Sequence, residues 1–243
     1  MKLRNPKGRD DLSIQRKYKV LEVGGGHNPS TRSNVIVDKY IYNNYHRSGD
    51  LKIYNNQEFV CADGECLPFE DKSFDYVICC QVLEHVNDPI KFVKEQQRVA
   101  QGGYMETPSL IGEFLMPKES HKWVSLEIDE KIVLYEKEKV QFKAIRDYGY
   151  LFLDFLPRQS IGYKVMQKTH FNILSINYEW KDEVELIVNP DSSYYFDFFT
   201  KPWDEGICNK LLRYKSINEE FYSSLNAFLA LCKNVFRSKI LKV

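Results

Sequence analysis

The chain has 243 residues, 43% of them apolar, and its 34 Lys and Arg residues balance its 34 Asp and Glu residues. This length suits one domain with a full hydrophobic core, and the balanced charge excludes a general attraction to nucleic acid or membrane surfaces. The six cysteines include no C-x-x-C pair, which argues against a zinc site, and no apolar stretch is long enough to span a bilayer. We therefore expect a cytoplasmic protein without a nucleic-acid partner or stable membrane insertion.

The first part of the chain contains short apolar segments that each end next to a polar residue or glycine. We predict them as parallel strands, with a helix over Pro89–Ala100 before the last of them. Ligands bind beyond the carboxyl ends of strands in open α/β sheets, so these polar ends predict a ligand site. The predicted strands are Tyr18–Val23, Val35–Asp38, Phe59–Cys61, Phe74–Cys80 and Gly103–Glu106.

Three consecutive glycines, Gly24 to Gly26, follow the first predicted strand. Such a loop lets a ligand approach backbone N–H groups, but Pro29 occupies the third glycine position of the dinucleotide-binding G-x-G-x-x-G pattern. Asp38 also follows Gly26 by only 12 residues, where a nicotinamide site needs an acid about 20 residues on. Only eight residues separate Gly26 from Val35, so we expect the usual crossover helix to be shortened or missing.

The rest of the chain departs from a simple alternation of strands and helices. An alternating pattern over Trp123–Tyr135 predicts a hairpin, and residues 138–157 predict a helix that ends before Pro157. His170–Tyr178 and Glu183–Val188 are predicted as strands that close the sheet. The remaining expectations are a polar lead-in over residues 1–17, a polar and aromatic surface segment over 40–57, and an amphipathic helix over 217–241.

Two motifs in the first half carry a resemblance to a known family. The segments ADGECLPFEDKSFDYVI (Ala62–Ile78) and VLEHVNDP (Val82–Pro89) resemble class I S-adenosylmethionine-dependent methyltransferases of the methyltransferase type 11 kind. The resemblance implies one α/β domain with a Rossmann-like sheet, mostly parallel with an antiparallel last strand. In such a domain, residues 18–108 form the cofactor-binding half. Residues 109–180 then form a hairpin and helix insertion for substrate, and 181–243 the closing strand and C-terminal helix.

The resemblance also implies S-adenosylmethionine as the cofactor. Asp38 would accept hydrogen bonds from both ribose hydroxyls, because a carboxylate suits a diol. Asp63 would accept one from the adenine amino group, and Gly64 would leave space beside the ring. A turn or cap role is the structural alternative for both acids. Glu22 would face the ammonium group of the methionine part, directly or through water. The residues that would lie against the methionine part are Glu22, Gly24, Gly25, Gly26 and Gln81.

Methyl transfer to a hydroxyl or amine requires removal of a proton and needs no metal ion. His121 lies beyond strand five, where substrate-binding insertions occur, and is our first candidate for the general base. His85, in the Leu-Glu-His block after strand four, is the second, with a helix-end hydrogen bond as its structural alternative. Glu106 at the tip of strand five is the third, as a base or as a partner for a histidine.

The cofactor-binding half does not specify the acceptor. Similarity to compact enzymes that decorate bacterial glycans favours a small polar acceptor, such as a sugar nucleotide or a phosphorylated precursor of a surface polysaccharide. The basic residues near both ends are then either solvated termini or a rim for a phosphate group. Two alternatives stay open: a protein or RNA methyltransferase, and a scaffold that binds the cofactor with weak catalysis. The helix over 217–241 is expected to pack on the body, on the second subunit of a homodimer or on a membrane surface.

Overall fold

The computed structural model describes residues 1–44, 47, 49–212 and 215–240, with side chains given up to residue 233. Its strands are β1 (Lys2–Arg4), β2 (Val20–Val23), β3 (Val35–Asp38), β4 (Glu58–Cys61), β5 (Tyr76–Cys80), β6 (Gly102–Pro108), β7 (Trp123–Ile128), β8 (Lys131–Glu136), β9 (Ser175–Lys181) and β10 (Leu186–Val188). The main sheet has the order β1-β9-β6-β5-β2-β3-β4. Strands β2 to β6 are mutually parallel, whereas β9 is antiparallel to β1 and β6. The predicted Rossmann-like sheet with an antiparallel closing strand is confirmed.

The central strands β2, β3 and β5 consist almost entirely of buried apolar residues, as expected of parallel strands that are covered on both faces. One face packs against α1 (Pro89–Val99), whose Phe92 and Val99 are buried in the largest core cluster. Asp88 caps this predicted helix by accepting a hydrogen bond from the N–H of Lys91. The other α-helices of the described residues are α2 (Leu110–Leu115), α3 (Leu156–Gln159), α4 (Ile161–Thr169), α5 (Ser193–Thr200), α6 (Glu205–Leu211) and α7 (Ile217–Ile240).

The N-terminal segment takes the place of a missing helix. Residues 24–34, between β2 and β3, are all described and form turns without a helix, as the short spacing predicts. The second face of the sheet is instead covered by Leu12, Ile14 and Tyr18, which pack on a cluster that includes Tyr104. The prediction of a polar lead-in was therefore wrong, because these apolar side chains lie among charged ones and the same segment supplies β1.

The predicted hairpin is present as β7 and β8, joined by Asp129 and Glu130. Both residues have positive φ angles, 50° and 63°, which suits the twist of a two-residue hairpin turn. The second predicted closing strand, Glu183–Val188, does not join the main sheet. Its apolar part, β10, instead pairs in parallel with β8 and completes a separate sheet of order β10-β8-β7.

The helix predicted over 138–157 was wrong in both its start and its end. Residues 137–141 form turns, and Gln141 has a φ of 51° that interrupts any helix there. A π-helix spans Tyr150–Phe155 and continues into α3. Pro157 lies in the first turn of α3, where its missing N–H is not required, so it does not end the helical segment.

The C-terminal helix α7 exists as predicted and contacts α4. Its apolar stripe is not buried in this structure, since Phe221, Leu225 and Leu229 are 63%, 41% and 55% exposed. Packing of this stripe on the body is thus not observed for these residues, and a second subunit or a membrane surface stays a prediction. The stripe's last members, Val235, Phe236 and Ile240, lie outside the described side chains. Among the helices that the structure describes, none combines the length and apolar character needed to cross a membrane.

Candidate active site

A cavity of about 430 Å³ opens at the carboxyl ends of β2, β3 and β5. This is the edge at which open α/β sheets bind ligands, and the volume lies in the range of small-molecule sites. The cavity brings together most of the predicted cofactor residues with one of the predicted catalytic residues. The predicted site residues that line it are Gly24, Gly26, Asp38, Asp63, Gly64, Gln81 and His85.

The glycine loop is shaped by both backbone conformation and close packing. Gly24 and Gly26 have φ angles of 75° and 54°, which side chains adopt with strain. A Cβ on Gly24 would lie 2.2 Å from the Cγ2 of Val82, and one on Gly25 would lie 2.7 Å from the Cγ2 of Ile36. Gly25 does not line the cavity, so its smallness serves the packing of the loop on the sheet.

Asp38 is available to the cavity through one of its two carboxylate oxygens. Its Oδ1 accepts a hydrogen bond from the N–H of Tyr40, and its Oδ2 lies 3.6 Å from a guanidinium nitrogen of Arg47. Arg47 is held by Asn44 and by backbone carbonyls, and it also lines the cavity. The sequence prediction missed Arg47, which lies within the expected surface segment over residues 40–57.

The rest of that surface segment is only partly described. Residues 45, 46 and 48 lie outside the described part of the chain. The N–H of Lys52 donates to the carbonyl oxygen of Gly26, so the described part of the segment is joined to the glycine loop.

Asp63 and Gly64 follow β4 and also line the cavity. Asp63 pairs with Lys39 at 2.5 Å through Oδ2 and accepts from the N–H of Glu65 through Oδ1. Partial burial raises the pKa of Asp63, but the hydrogen bonds from Lys39 and the N–H of Glu65, together with the nearby lysine charges, outweigh this, and the pKa lies below its usual value. A Cβ on Gly64 would come within 2.5 Å of the ring of Phe92, so only glycine fits there.

The carboxylate of Glu22 is engaged by its own loop. Its buried carboxylate accepts hydrogen bonds from the N–H of Ser30 and the hydroxyl of Ser33, at 2.7 and 2.6 Å, and lies 3.5 Å from Arg9. Burial raises the pKa of Glu22, although these hydrogen bonds and Arg9 act in the opposite direction. Glu22 does not line the cavity. It satisfies the backbone of the loop that replaces the crossover helix, which explains why direct contact with an ammonium group is not supported.

Gln81 and Glu106 form a pair at the ends of neighbouring strands. Gln81 has a φ of 57° and donates through Nε2 to the Oε1 of Glu106 at 3.1 Å. The other oxygen of Glu106 accepts from the hydroxyl of Tyr104. Glu106 does not line the cavity, whereas Gln81 does. Glu106 therefore positions Gln81 and is not placed to take a proton from a molecule in the cavity.

Three titratable residues form a compact group in the wall of the cavity, which we call the EHH cluster: Glu84, His85 and His121. Glu84 and His85 belong to a short 3₁₀-helix after β5, and His121 precedes β7. Glu84 and His121 are 2% and 4% exposed, while His85 lines the cavity. The two imidazole rings are perpendicular, with their centres 4.6 Å apart. His121, the first candidate for the base, thus lies behind His85, the second.

His121 and Glu84 contact side chains that do not line the cavity. His121 Nδ1 lies 2.5 Å from the Oε2 of Glu113, whose other oxygen pairs with Lys137 at 2.6 Å. Burial raises the pKa of Glu113, but His121 and Lys137 outweigh it and the pKa is lowered. Burial raises the pKa of Glu84 to about 8 despite the hydrogen bond from Thr107.

The cluster offers three ligand atoms, one from each residue, that all lie within 4.8 Å of one another. Histidine and carboxylate are common ligands of divalent transition metals. The sequence prediction of no metal site was based on the absence of cysteine pairs. It did not include this group because His121 is distant in sequence from Glu84 and His85. Glu84 was missed although it precedes the candidate His85, and Glu113 and Lys137 were missed because nothing near them in the chain marks a site.

Comparison with known proteins supports the predicted resemblance. Residues 38–105 match the family model Methyltransf_11, described as a methyltransferase domain. The chain is 30% identical over 92 residues to a malonyl-[acyl-carrier protein] O-methyltransferase from Marinomonas sp. (strain MWYL1), covering 38% of this chain and 34% of that protein. It is 34% identical over 92 residues to the ubiquinone/menaquinone biosynthesis C-methyltransferase UbiE of Rickettsia typhi, covering 38% of this chain and 36% of that protein.

A third relative is the norajmaline N-methyltransferase of Rauvolfia serpentina, 38% identical over 76 residues, which cover 31% of this chain and 25% of that protein. The chain therefore spans about a third or less of the length of these curated relatives. Among solved structures, the PH0226 protein from Pyrococcus horikoshii OT3 aligns with a TM-score of 0.38 at 18% identity, over 70% of this chain and 84% of that one. The names of the three relatives specify oxygen, carbon and nitrogen as methyl acceptors, so the similarity does not select the acceptor atom.

Proposed function

We propose that this chain, a class I S-adenosylmethionine-dependent methyltransferase by its matched segment and sheet order, transfers a methyl group to a hydroxyl or amine of a small polar acceptor. The observation that carries this proposal is the meeting of the glycine loop, Asp38 and the Asp63–Gly64 pair at one cavity, with His85 in its wall. A scaffold that only binds the cofactor would not need a titratable cluster beside the same cavity.

The residues present fit the cofactor. Gly24 and Gly64 lie where any side chain would clash with Val82 or Phe92, so bare backbone is kept at both sides of the cavity. Asp38 offers Oδ2 as an acceptor for ribose hydroxyls. We assign Asp63 and Gly64 to the adenine, and Gly24, Gly26 and Gln81 to the methionine part. When bound, S-adenosylmethionine supplies a methyl group on a positively charged sulfur, which is a good leaving group.

Lys39 and Arg47 form ion pairs with the acids that we assign to the cofactor. Each is paired with one of the two cofactor acids, Asp63 and Asp38 respectively. Binding of the cofactor therefore has to rearrange or share these ion pairs. Because Lys39 and Arg47 both line the cavity, either is positioned to contact an anionic group once its partner acid binds the cofactor.

We assign promotion of proton loss from the acceptor to the EHH cluster. His85 is its cavity-facing member, and Glu84 and His121 lie behind it in the buried part of the wall. The acceptor would enter beside His85, where Ser120 and Lys122 also line the cavity. In this arrangement His121 acts through the cluster and does not touch the acceptor, so we no longer rank it first as a direct base.

For the acceptor we retain a sugar nucleotide or a phosphorylated glycan precursor. Lys122 supports this choice, because it lines the cavity next to His85 and its ammonium group donates to the neutral side chain of Asn87. A lysine in this position can pair with a phosphate group. Glycan biosynthesis as the setting of the reaction rests on the sequence resemblance described above and is part of the proposal.

The function is tested in two stages. Calorimetry in EDTA should detect S-adenosylmethionine and S-adenosylhomocysteine binding, and absence of both heat and thermal shift at millimolar ligand would reject the cofactor. An acceptor screen that measures S-adenosylhomocysteine release then compares sugar nucleotides, phosphorylated sugars, unphosphorylated sugars, RNA and protein extracts. Turnover with RNA or protein alone would replace the small acceptor, and cofactor binding without any turnover would favour the scaffold.

A further inference from the structure

We propose that Glu84, His85 and His121 bind one divalent transition metal ion, such as Zn²⁺, in the wall of the cofactor cavity. The three residues supply a carboxylate and two imidazoles within 4.8 Å of one another. Two histidines and one carboxylate are a recognised donor set for catalytic zinc and for other transition ions.

Two buried polar atoms of the cluster have no hydrogen-bond partner among the residues that the structure describes. Glu84 Oε1 and His121 Nε2 are both buried without a hydrogen bond, although their residues are more than nine-tenths buried. They face each other across 3.8 Å, which is too far for a hydrogen bond. Buried polar groups in proteins are almost always paired, so two orphans at one point indicate a ligand that both contact.

The distance between Glu84 Oε1 and His121 Nε2 is also close to the spacing of ligand atoms around a metal ion. Zinc–nitrogen and zinc–oxygen distances of about 2.0–2.1 Å in a tetrahedral site place neighbouring ligand atoms about 3.4 Å apart. The observed 3.8 Å between Glu84 Oε1 and His121 Nε2 is within about half an ångström of that spacing. A small side-chain rotation therefore suffices to bring the two atoms onto one ion.

The Nδ1 atoms of the two histidines are oriented by contacts with other residues. His121 Nδ1 contacts the carboxylate of Glu113, and His85 Nδ1 lies 3.1 Å from the carbonyl oxygen of Ser120. Because a carbonyl oxygen and a carboxylate both accept, each ring donates from Nδ1 and would coordinate the ion through Nε2. Metal-binding histidines are typically oriented in this way by a carboxylate or a backbone carbonyl. Lys137 in turn pairs with Glu113, so this outer carboxylate is itself held in place.

The expected role of the ion rests on the proposed function, whereas its binding does not. Three protein ligands leave a coordination position for another molecule, and His85 brings the site to the cavity surface. An acceptor hydroxyl at that position would have a lowered pKa, and its proton would leave to solvent through the open cavity. With the ion bound, the lone pairs of His85 and His121 are occupied, so neither histidine can also serve as the general base.

Metal binding should be measured directly on the full-length chain. After treatment with EDTA and removal of the chelator, titration with Zn²⁺ by calorimetry and metal analysis after dialysis should give one equivalent per chain. His121→Ala and the isosteric Glu84→Gln should each weaken binding about 100-fold or more, since even outer-shell changes cost 10- to 100-fold. His170→Ala is the matched control, because His170 lies outside the cluster beside Thr169 and Glu220 and should leave binding unchanged.

Zinc that binds in this titration could also be bound by the exposed cysteines Cys61 and Cys66, and the same experiment distinguishes the two sites. The Co²⁺-loaded protein should lack a sulfur-to-metal charge-transfer band, and the double variant Cys61→Ser/Cys66→Ser should retain the equivalent. Zinc binding that survives both cluster variants, or that disappears with the cysteines, would overturn the proposal, as would no binding at all. Cofactor binding in EDTA is measured in parallel, so failure of the metal site and failure of the methyltransferase proposal are distinguished.

Discussion

Glu22 and Glu84 are both buried carboxylates near the carboxyl ends of central strands, yet their surroundings differ. The carboxylate of Glu22 is fully engaged by Ser30, Ser33 and Arg9. One oxygen of Glu84 accepts from Thr107, and the other is buried without a partner. The difference separates an acid that holds a loop from an acid that is available to a ligand, although the two look alike in sequence.

The cofactor side and the acceptor side of the cavity are therefore built in different ways. The cofactor side consists of short local motifs whose backbone shape matters most, such as Gly24 and Gly64. The acceptor side is assembled from distant segments whose side chains meet only after folding, as His85 and His121 do. Changes on the first side should affect cofactor affinity or stability, and changes on the second should affect turnover.

The largest expected effect is on the acceptor side. His121→Ala disrupts the EHH cluster, to which we assign proton loss from the acceptor, so turnover should fall about 10²- to 10⁴-fold while cofactor affinity stays nearly constant. Steady-state kinetics at saturating cofactor and calorimetry would measure the two quantities separately. An equal loss in both would mean that the two sides of the cavity are not independent.

On the cofactor side, Asp38→Ala should weaken S-adenosylmethionine binding about ten- to a hundredfold. The reason is the loss of a charge-assisted hydrogen bond worth about 1.5–3 kcal/mol. Asp75→Ala is a matched control, because Asp75 accepts a hydrogen bond from the N–H of Lys19 and does not line the cavity. Unchanged affinity in a folded Asp38 variant would place the ribose elsewhere.

Removal of the loop-holding acid should affect folding more than binding. Glu22→Ala leaves the buried N–H of Ser30 and hydroxyl of Ser33 without their acceptor, so the free energy of unfolding should fall by about 1–3 kcal/mol. Urea denaturation would measure it. Cofactor affinity, measured on the fraction that remains folded, should change less than in Asp38→Ala. The opposite order would restore Glu22 as a cofactor ligand.

The smallest expected effect is a change in the free energy of unfolding in the direction opposite to that of Glu22→Ala. In metal-free protein at pH 7, Glu84→Gln should leave the free energy of unfolding unchanged or raise it by about 1 kcal/mol. Burial raises the pKa of Glu84 to about 8, so the acid must take up a proton on folding at pH 7, and a neutral amide avoids this cost. The same urea experiment compares it with Glu22→Ala. A loss of stability similar to that of Glu22→Ala would show that Glu84 has a structural partner and would remove the contrast between the two acids.

The sequence allowed prediction of features that depend on neighbouring residues. The strands, α1 and the hairpin follow from local hydrophobic patterns, and the missing crossover helix follows from the short spacing before Val35. The contacts of Glu22 with Ser30 and Ser33 could not be predicted, because these partners lie in a loop whose conformation no pattern specifies. The EHH cluster could not be predicted, since its geometry depends on the packing of the His121 segment against the 3₁₀-helix after β5.

The edge strand β1 has a consequence for the order in which the protein is made and folded. Lys2 pairs with Trp180, and Arg4 with Glu179, so a segment that is synthesised early has its partners near the far end of the chain. Long-range pairings of this kind form slowly because a large loop must close first. We therefore expect the parallel strands to assemble first on the ribosome, while the N-terminal strand stays unpaired until β9 has been translated.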